Sequence, residues 1–374
     1  MAKLLVITGE ASGDLHGGNL VIELKKLMPD LDVLGTGGKV LESAAARLFY
    51  RVEQMAVIGF WEVLKRYQYF KGIFDDMVKK LDEEKPDIVL LVDYVGFNLK
   101  YAQEVKKRGI KVIYYIAPQV WAWKPKRIEK IKKYVDELIV LFPFEVEFFR
   151  KHGLETHCFG HPLLEKVKAS ETKSATLQKW GLNPDKKILS CLPGSRYNEI
   201  KKHLPLLFDT ITHLNQKRDN LQFVFPLAST VNKEMISPYL ENNEAEIFLA
   251  ENDTYNVVAH SDFALVASGT ATLETAILQT PLIIFYKSSL ATYLIGKYLL
   301  RIKAIGLPNV VVGEMVVKED PHFSSPEKMA REILRYLDYK DVYEGLKNNL
   351  AKVREELGQE DSYKNAAAFI HSLL

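Results

Sequence analysis

The stretch IVLLVDYVGFNLKYAQEVKKRGIKVIYYI, residues 88–116, decides the fold. It begins with Ile88–Val92 and ends with Lys111–Ile116, two short runs dominated by β-branched and other apolar residues. Between them, Asn98–Arg108 has the apolar spacing of a helix. Runs that hardly alternate between apolar and polar residues are typical of a parallel sheet that helices cover on both faces. The stretch therefore predicts a β-α-β unit.

The same alternation continues along the chain in both directions. Helical stretches such as Leu15–Met28, Leu204–Gln216 and Thr270–Leu278 separate further strand-like runs. Those runs are Leu4–Thr8, Leu31–Leu34, Leu138–Leu141, Lys187–Cys191, Leu221–Phe225, Ile247–Leu249, Phe263–Val266 and Leu282–Tyr286. Ten strands are many for one doubly wound sheet, so we expect two sheets.

A polar segment interrupts the alternation near the middle of the chain and indicates a domain boundary. We expect an N-terminal domain at residues 1–165 and a linker at 166–186, which ends in the turn-forming Gly181-Leu182-Asn183-Pro184. A second domain follows at 187–325. Residues 326–374 are charged and helical, and this tail either caps the second domain or returns to the N-terminal one.

Composition excludes several classes of protein. The 374 residues include 50 Lys and Arg against 48 Asp and Glu, a net charge of only +2, which argues against nucleic-acid binding through a field of the whole molecule. Two cysteines, Cys158 and Cys191, are too few for a disulfide scaffold and fit a reducing compartment. Because we find neither a membrane-spanning run nor a signal peptide, we expect a cytoplasmic protein or one peripheral to a membrane.

The turn after the first strand, residues 9–18, departs from the glycine spacing of a dinucleotide site. Its carboxylates Glu10 and Asp14 would also repel a pyrophosphate. Together with Ser12 and His16 they favour a polar acceptor pocket, although the glycines could serve only to permit a tight turn.

Asp93 stands where the strand Ile88–Val92 leaves the sheet. A partly desolvated carboxylate at that edge can have a raised pKa and take a proton from a hydroxyl group. The alternative is that Asp93 caps the helix that begins near Asn98.

Two strand-to-helix turns in the second half have the residues that bind phosphate. Each combines glycine and hydroxyl residues with backbone donors, and Arg196 adds a guanidinium group suited to phosphate oxygens. The predicted phosphate-binding residues are Gly194, Ser195, Arg196, Ser268, Gly269 and Thr270. Glu274, one turn further on, could accept hydrogen bonds from a ribose. These turns predict a bound nucleoside diphosphate, with helix capping by Ser and Thr as the alternative.

Neither a metal nor a cofactor is expected. His152, His157, Cys158 and His161 lie close in sequence, but their spacing fits no zinc motif, and His161-Pro162 is interpreted as shaping the domain boundary.

Basic and aromatic residues concentrate in two segments. Residues 100–133 contain eleven Lys and Arg but only two acids, and Phe60–Lys71 reads as a short amphipathic helix. This combination favours an anionic lipid surface over single-stranded nucleic acid, with a core or solvated helix as the alternative. The candidate acceptor-facing or lipid-facing residues are Ser12, Trp61, Val63, Leu64, Tyr67, Phe70, Trp121 and Trp123.

Nine motifs, in order along the chain, carry a family resemblance. They are Gly9-Glu10-Ala11-Ser12-Gly13-Asp14, Met55-Ala56-Val57-Ile58-Gly59, Asp93-Tyr94-Val95-Gly96-Phe97-Asn98, Pro118-Gln119-Val120-Trp121-Ala122-Trp123, Phe142-Pro143-Phe144-Glu145, Gly160-His161-Pro162, Leu192-Pro193-Gly194-Ser195-Arg196, Ser268-Gly269-Thr270-Ala271-Thr272-Leu273-Glu274 and Leu307-Pro308-Asn309. The sequence thereby resembles the lipid-A-disaccharide synthase family of inverting glycosyltransferases. The resemblance implies the α/β GT-B architecture, in which two Rossmann-like, doubly wound domains face a cleft, with a C-terminal helical tail.

The resemblance also implies the reaction. UDP-2,3-diacylglucosamine would condense with 2,3-diacylglucosamine 1-phosphate to give the β-1′,6-linked lipid A disaccharide 1-phosphate and UDP. Asp93 would be the catalytic aspartate, Arg196 and Glu274 would belong to the UDP site, and Asn309 would lie close to it. The pattern departs at 318–322, where His322 stands in place of the expected glutamine.

We expect a single displacement in which Asp93, or a base among Glu10, Asp14 and His16, takes the proton of the acceptor hydroxyl. The expected partners are the two acylated sugars and an anionic membrane, not nucleic acid, at the inner face of the cytoplasmic membrane. The tail is compatible with a homodimer. Two rivals of the same architecture remain, a peptidoglycan N-acetylglucosaminyl transferase and a UDP-sugar 2-epimerase.

Overall fold

The computed structural model describes residues 2–55, 67–122, 125–227, 231, 233–241, 243–286, 304–320 and 325–374. The chain divides into two compact units. Unit 1 consists of Met1–Pro162 together with Gly358–Leu374, and unit 2 is Leu163–Leu357.

Unit 1 is built on a parallel sheet of seven strands in the order β3-β2-β1-β4-β5-β6-β7. The strands are β1 (Lys3–Ile7), β2 (Asp32–Gly37), β3 (Arg47–Arg51), β4 (Ile88–Val92), β5 (Lys111–Tyr115), β6 (Glu137–Val140) and β7 (Thr156–Cys158). The helices between them are α1 (Ala11–Leu27), α2 (Lys39–Ser43), α3 (Val52–Met55), α4 (Tyr67–Glu84), α5 (Val95–Lys107), α6 (Ile128–Tyr134) and α7 (Pro143–Lys151).

Unit 2 repeats this plan with a parallel sheet in the order β10-β9-β8-β11-β12-β13. Its strands are β8 (Lys187–Leu192), β9 (Leu221–Leu227), β10 (Ile247–Glu251), β11 (Phe263–Ala267), β12 (Leu282–Phe285) and β13 (Glu319–Asp320). Its helices are α8 (Leu163–Lys166), α9 (Lys173–Trp180), α10 (Tyr197–Asn215), α11 (Ser237–Leu240), α12 (Thr254–Ala259), α13 (Thr270–Ile277), α14 (Leu307–Val312), α15 (Pro326–Asp338) and α16 (Lys340–Glu356). In both sheets the strand order reverses beside the first strand, as in doubly wound nucleotide-binding folds.

The unbroken apolar runs are explained by burial on both faces of the sheet. In unit 1, Leu5 and Val89 contribute to the core on one face, where Met77 of α4 and Tyr101 of α5 are also buried. The alternate residues of the same strands belong to a second core on the opposite face, which includes Leu20 of α1. A strand with helices on both sides needs apolar residues at every position, and this removes the alternation of a half-exposed strand.

The charged tail contributes to both units. Helices α15 and α16 belong to unit 2, where the Tyr343 hydroxyl donates to the Asp262 carbonyl oxygen at 2.9 Å. The last helix, α17 (Ser362–His371), belongs to unit 1 and buries Ala366, Ala367 and Ile370 in the core beside α1.

All ten predicted strands are confirmed, and three further strands were not predicted: β3, β7 and β13. Each of these three lies at an edge of its sheet. They are short or rich in polar residues, because an edge strand has one neighbour and less of it is buried.

Candidate functional site

The first candidate region lies at the carboxyl edge of the unit 1 sheet, where β1 and β4 are adjacent and parallel, with Ile7 opposite Leu91. The turns that follow these strands are in contact. A Cβ atom on Gly9 would lie 2.3 Å from the Tyr94 ring, so only glycine fits beneath that ring. This packing brings Glu10 near Asp93. Burial raises the pKa of Asp93, and the charge of Glu10 raises it further.

The backbone at this edge is strained. Asp93, Tyr94 and Ile116, at the ends of neighbouring strands β4 and β5, have φ angles of +47°, +42° and +64°. For a β-branched residue such as Ile116 this conformation is an outlier, and such strain persists only where the surroundings enforce it. The Asp93 amide donates to the Tyr115 carbonyl oxygen at 3.0 Å, and the Asn98 side chain donates to the Asp93 carbonyl oxygen at 2.9 Å. These bonds fix the direction in which the Asp93 carboxyl leaves the sheet.

The Asp14 carboxylate bonds to the start of α2. Its Oδ1 atom accepts from the amides of Gly38 and Leu41 at 2.6 and 3.1 Å, and its Oδ2 atom accepts from the Val40 amide at 3.1 Å. The side chain is 5% exposed. Asp14 thus supplies acceptors for the first amides of α2, which have no partner within that helix.

His16 contacts the C-terminal helix. Its Nδ1 atom lies 2.8 Å from the hydroxyl oxygen of Tyr363 in α17. The buried ring of His161 lies near enough for electrostatic interaction with His16, and burial, with His16 as a lesser cause, lowers the pKa of His161 to about 3. Ser12 is exposed in the first turn of α1. Tyr363 had no motif to mark it, since its partner lies 347 residues away.

The predicted aromatic surface is described only in part. Trp61, Val63, Leu64 and Trp123 lie outside the described residues, and so does His322. Tyr67 begins α4, and the half-buried Phe70 packs edge-on against Tyr69 with ring centroids 5.4 Å apart. The half-buried Trp121 donates its indole N–H to Glu145 Oε1 at 2.9 Å.

Unit 2 carries a cavity of about 680 Å³ at the carboxyl edge of its sheet. The turns after β8, β10 and β11 line it together with Pro226 of β9, and β8 and β11 are adjacent in the sheet. Seven of the eight residues that the sequence assigned to the diphosphate site line this cavity: Gly194, Ser195, Arg196, Ser268, Gly269, Thr270 and Glu274.

The turn after β8 presents a cation to the cavity. Arg196 has 80% of its side chain exposed, and its Nη1 atom lies 2.9 Å from Glu199 Oε1 in the first turn of α10. The turn is anchored by the buried His203, whose Nδ1 atom lies 2.7 Å from the Pro193 carbonyl oxygen. The guanidinium group can therefore contact an anion from a fixed backbone.

The turn after β11 presents backbone amides. Gly269 precedes α13 with φ +155° and ψ −167°, a region that essentially only glycine occupies. Thr272 caps the turn by donating its hydroxyl to the Gly269 carbonyl oxygen at 2.8 Å. Because the first amides of a helix lack partners within it and lie at the positive end of its dipole, they form a site for anions.

Glu274 is oriented by a residue that the sequence did not indicate. The Tyr255 hydroxyl donates to Glu274 Oε1 at 2.9 Å, and burial together with this carboxylate raises the pKa of the phenol. Tyr255 follows β10, and the turn after this strand contains neither glycine nor serine. Inspection of Asn252-Asp253-Thr254 as a strand-to-helix turn would have found it.

Asn309 does not line this cavity. Its side-chain nitrogen donates to the Val317 carbonyl oxygen at 2.8 Å, and its oxygen accepts from the Val316 and Val317 amides at 2.9 and 2.8 Å. The amide group thus holds the segment that leads into β13.

The described parts of the chain contain neither a cluster of metal ligands nor a membrane-spanning helix. Among those residues no group of three or more His, Cys, Asp or Glu could hold a metal ion. Among the same residues no helix is both long enough and apolar enough to cross a bilayer.

Comparison with known proteins identifies relatives over the whole chain. A sequence profile of lipid-A-disaccharide synthetase matches residues 4–372. Lipid-A-disaccharide synthase 1 of Legionella pneumophila is 37% identical and is aligned over 96% of this chain and 94% of its own. Lipid-A-disaccharide synthases of Geobacter metallireducens and Coxiella burnetii are also 37% identical, over 100% of this chain and 97% and 98% of their own.

Solved structures share the architecture at low sequence identity. The glycotransferase of kitacinnamycin aligns with a TM-score of 0.66 at 12% identity, over 100% of this chain and 99% of its own. The UDP-GlcNAc 2-epimerase of Neisseria meningitidis, solved with UDP-GlcNAc, aligns with a TM-score of 0.60 at 15% identity over 99% of each chain. These similarities support the fold, while the sequence relatives support the family. The chain belongs to the lipid-A-disaccharide synthetase family and is a glycosyltransferase with two Rossmann-like sheets.

Proposed function

We propose that this enzyme condenses UDP-2,3-diacylglucosamine with 2,3-diacylglucosamine 1-phosphate to give the β-1′,6-linked disaccharide 1-phosphate and UDP. The observation that carries the proposal is the unit 2 cavity. In a member of this family, it combines an arginine, a helix N-terminus and a carboxylate in the arrangement that a nucleoside diphosphate needs. Its volume of about 680 Å³ falls in the usual range of small-molecule sites.

The donor would bind with its diphosphate between Arg196 and the first turn of α13. Arginine forms charge-assisted, often bidentate hydrogen bonds with phosphate oxygens, and the helix amides add neutral donors. When the bond between the sugar and UDP breaks, negative charge grows on the diphosphate. Donors that are already in place stabilise that charge without reorganisation. Glu274, held by Tyr255, would accept hydrogen bonds from the ribose hydroxyls.

The acceptor would be activated by Asp93. The carboxylate takes the proton of the 6-hydroxyl, the oxygen forms a bond to the anomeric carbon, and the bond from that carbon to the UDP oxygen breaks on the opposite face. This single displacement inverts the anomeric configuration. A raised pKa makes Asp93 a stronger base than an ordinary aspartate, and Glu10 contributes through its charge. His16 and Ser12 would contact the acceptor, while Asp14 would support the turn through α2.

The enzyme would work at the inner face of the cytoplasmic membrane, where its acylated substrates reside. The basic segment 100–133 and the aromatic residues of Phe60–Lys71 support this proposal, because cations attract anionic lipid and aromatic side chains suit the headgroup region. We expect co-sedimentation with phosphatidylglycerol vesicles that weakens with salt and in Trp61→Ser and Phe70→Ser. Leu27→Ser, at an exposed position of α1, is the control. Binding that is indifferent to salt and to both substitutions would refute the membrane proposal.

One assay tests the reaction itself. The purified enzyme is given UDP-2,3-diacylglucosamine with and without the monosaccharide 1-phosphate, and the disaccharide and UDP are quantified. We expect both products only when the acceptor is present. Turnover of UDP-N-acetylglucosamine to a 2-epimer, or transfer to a peptidoglycan precursor, would contradict the proposal.

A further inference from the structure

Glu145 is a buried carboxyl group that the proposed reaction does not use. It lies at the third position of α7 and is 3% exposed. Its Oε2 atom accepts from the Phe142 amide at 3.2 Å, which is the glutamate half of a capping box. A cap of this kind works at the surface, so capping alone does not explain why this carboxyl group is buried.

The other carboxyl oxygen is used by a distant loop. Oε1 accepts the indole N–H of Trp121 at 2.9 Å, across 24 residues of sequence. The Trp121 ring also packs edge-on against Phe144, with ring centroids 5.2 Å apart. Trp121 is thus held by α7 through a hydrogen bond and an aromatic contact, and both come from neighbouring residues of one helical turn.

Trp121 belongs to the loop that follows β5, residues 116–122. The loop begins at Ile116 in its strained conformation, and Ala117, Val120 and Ala122 are buried. It starts one residue after Tyr115, whose carbonyl oxygen accepts the amide of Asp93. A shift of this loop would therefore move the backbone that sets the direction of the Asp93 carboxyl.

We propose that Glu145 is a positioning residue that clamps Trp121 and thereby holds the 116–122 loop and the strained turn beside Asp93. The role in catalysis rests on the proposed function, whereas the clamp itself does not. Strain at Ile116 and Asp93 must be enforced by contacts, and the bond from Glu145 to Trp121 connects this loop to the first turn of α7, the helix that follows the adjacent strand β6.

Protonation offers a direct way to observe the clamp. Burial raises the pKa of Glu145 to about 7, although hydrogen bonds from Trp121 and the Phe142 and Leu141 amides oppose the effect. The titratable groups near it are Cys158, whose pKa burial raises, and His161, whose pKa burial lowers to about 3. Beyond His161 lies His16. Since His161 stays neutral and Cys158 stays protonated near pH 7, Glu145 is the one of these three groups that changes charge there.

The chain contains four tryptophans, which makes their indole N–H groups countable by NMR. We expect the Trp121 indole resonance, assigned through its loss in Trp121→Phe, to shift with a midpoint near pH 7 in the full-length enzyme. In Glu145→Gln this shift should vanish. Trp180 is an internal control because its indole N–H also donates to a carboxylate, Asp253 Oδ2, at 2.7 Å.

The control works because the two carboxylates have opposite pKa shifts. Burial alone would raise the pKa of Asp253, but hydrogen bonds from Lys179, Trp180 and Asn256 outweigh it and hold the pKa below its usual value. The Trp180 resonance should therefore stay fixed between pH 5.5 and 8.5. A Trp121 resonance that is equally fixed, or that titrates unchanged in Glu145→Gln, would overturn the clamp whether or not the enzyme forms the disaccharide.

Steady-state kinetics test the link to catalysis. Glu145→Gln and Trp121→Phe should each lower kcat by about 10- to 100-fold, with an unchanged KM for the UDP-sugar, because misplacement of a reacting group by about 1 Å has effects of that size. The double variant should be no slower than the worse single variant, since both remove one interaction. Glu137→Gln, which removes the 2.9 Å contact of that carboxylate with His157, is the matched control with wild-type kcat. Wild-type kcat in Trp121→Phe, or additive losses in the double variant, would refute the positioning role.

Discussion

The two sheets share the strand order of a doubly wound fold, but the turns at their carboxyl edges pack differently. In both, the strand order reverses beside the first strand, between β1 and β4 in unit 1 and between β8 and β11 in unit 2. In unit 1 this position is filled, because the Tyr94 ring packs against Gly9. In unit 2 the corresponding turns leave a cavity of about 680 Å³. The same backbone plan thus produces either a packed edge or an open one, and the side chains of the turns decide which.

The electrostatics of the two edges differ in the same way. The unit 1 edge carries Glu10 and Asp93, and the burial of Asp93 favours its protonated form. The unit 2 edge carries Arg196 and the amides at the start of α13, which favour an anion. One edge is therefore suited to receive a proton and the other to receive a diphosphate. An inverting glycosyl transfer needs both capacities.

The sharpest test of this contrast removes the proton acceptor. Asp93→Asn should lower kcat on the order of 10²–10⁴-fold, because general-base catalysis contributes about that much. The affinity for UDP, measured by calorimetry, should be unchanged, since Asp93 does not line the unit 2 cavity. Asp82→Asn, which removes a surface ion pair with Arg108, is the control with wild-type turnover. Near wild-type turnover in Asp93→Asn would end the assignment of unit 1 as the proton-accepting edge.

The second test weakens the anion-binding edge. Arg196→Ala should reduce the affinity for UDP about 10- to 100-fold, because a hydrogen bond to a charged group contributes about 1.5–3 kcal/mol. Uridine, which lacks phosphates, should bind the variant and the wild type equally. Lys201→Ala removes an exposed cation from α10, the helix that follows Arg196, and should bind UDP normally. An unchanged UDP affinity in Arg196→Ala would contradict the proposal that the diphosphate binds at this turn.

Much of the fold was predictable because the strands of both parallel sheets are buried on both faces. Most strands inside the sheets have apolar residues at nearly all positions, so their apolar runs alone located them, whereas β2, with two glycines and a threonine, was located only by its first residues. The strands β3, β7 and β13 were missed because they are short or polar, while the apolar start of β10, which is also an edge strand, was sufficient to predict it. The turns of unit 2 were predictable for a related reason. The diphosphate site proposed there consists of glycine, hydroxyl and arginine residues that are adjacent in sequence.

The site in unit 1 was less predictable because its contacts join distant segments. His16 and Tyr363 are 347 residues apart, and no local pattern connects them. Glu145 appeared within a recognised motif, but its burial against Trp121 depends on how α7 packs beside the loop after β5. Asp14 shows the same limit, since only the structure reveals that its carboxylate faces the amides of α2.

A smaller effect is expected from Tyr255→Phe, which probes the ribose end of the open edge. The variant loses the hydroxyl that donates to Glu274 at 2.9 Å, so the carboxylate is less well oriented. UDP affinity should fall about 3- to 10-fold, in line with about 1 kcal/mol for one hydrogen bond. The affinity for 2′,3′-dideoxy-UDP should not change, because that ligand offers Glu274 no hydroxyl. Tyr343→Phe, whose hydroxyl bonds to the Asp262 carbonyl oxygen outside the cavity, is the control. Equal losses of affinity for both nucleotides would contradict the proposal that Glu274 binds the ribose hydroxyls.

The last expected effect concerns the stability of the packed edge and not catalysis or binding. In the folded protein the pKa of Glu145 is about 7, above the usual value of about 4.3. Between these values the unfolded chain has lost the proton that the folded chain retains, so ionisation makes stability fall as pH rises through this window. Glu145→Gln cannot ionise. The free energy of unfolding of the variant, relative to that of the wild type, should therefore increase by about 1–3 kcal/mol as the pH rises from 4.5 to 8.

The pH dependence separates this effect from the hydrogen bond that glutamine fails to make. That loss shifts the stability of the variant by the same amount at every pH, whereas the ionisation of Glu145 changes the difference between variant and wild type. Urea unfolding at pH 4.5, 6 and 8 measures the difference directly. Asp93 has a raised pKa in both proteins, so its contribution cancels. Two curves that stay parallel across this range would show that Glu145 ionises in the folded protein as it does in the unfolded chain, and that burial does not raise its pKa.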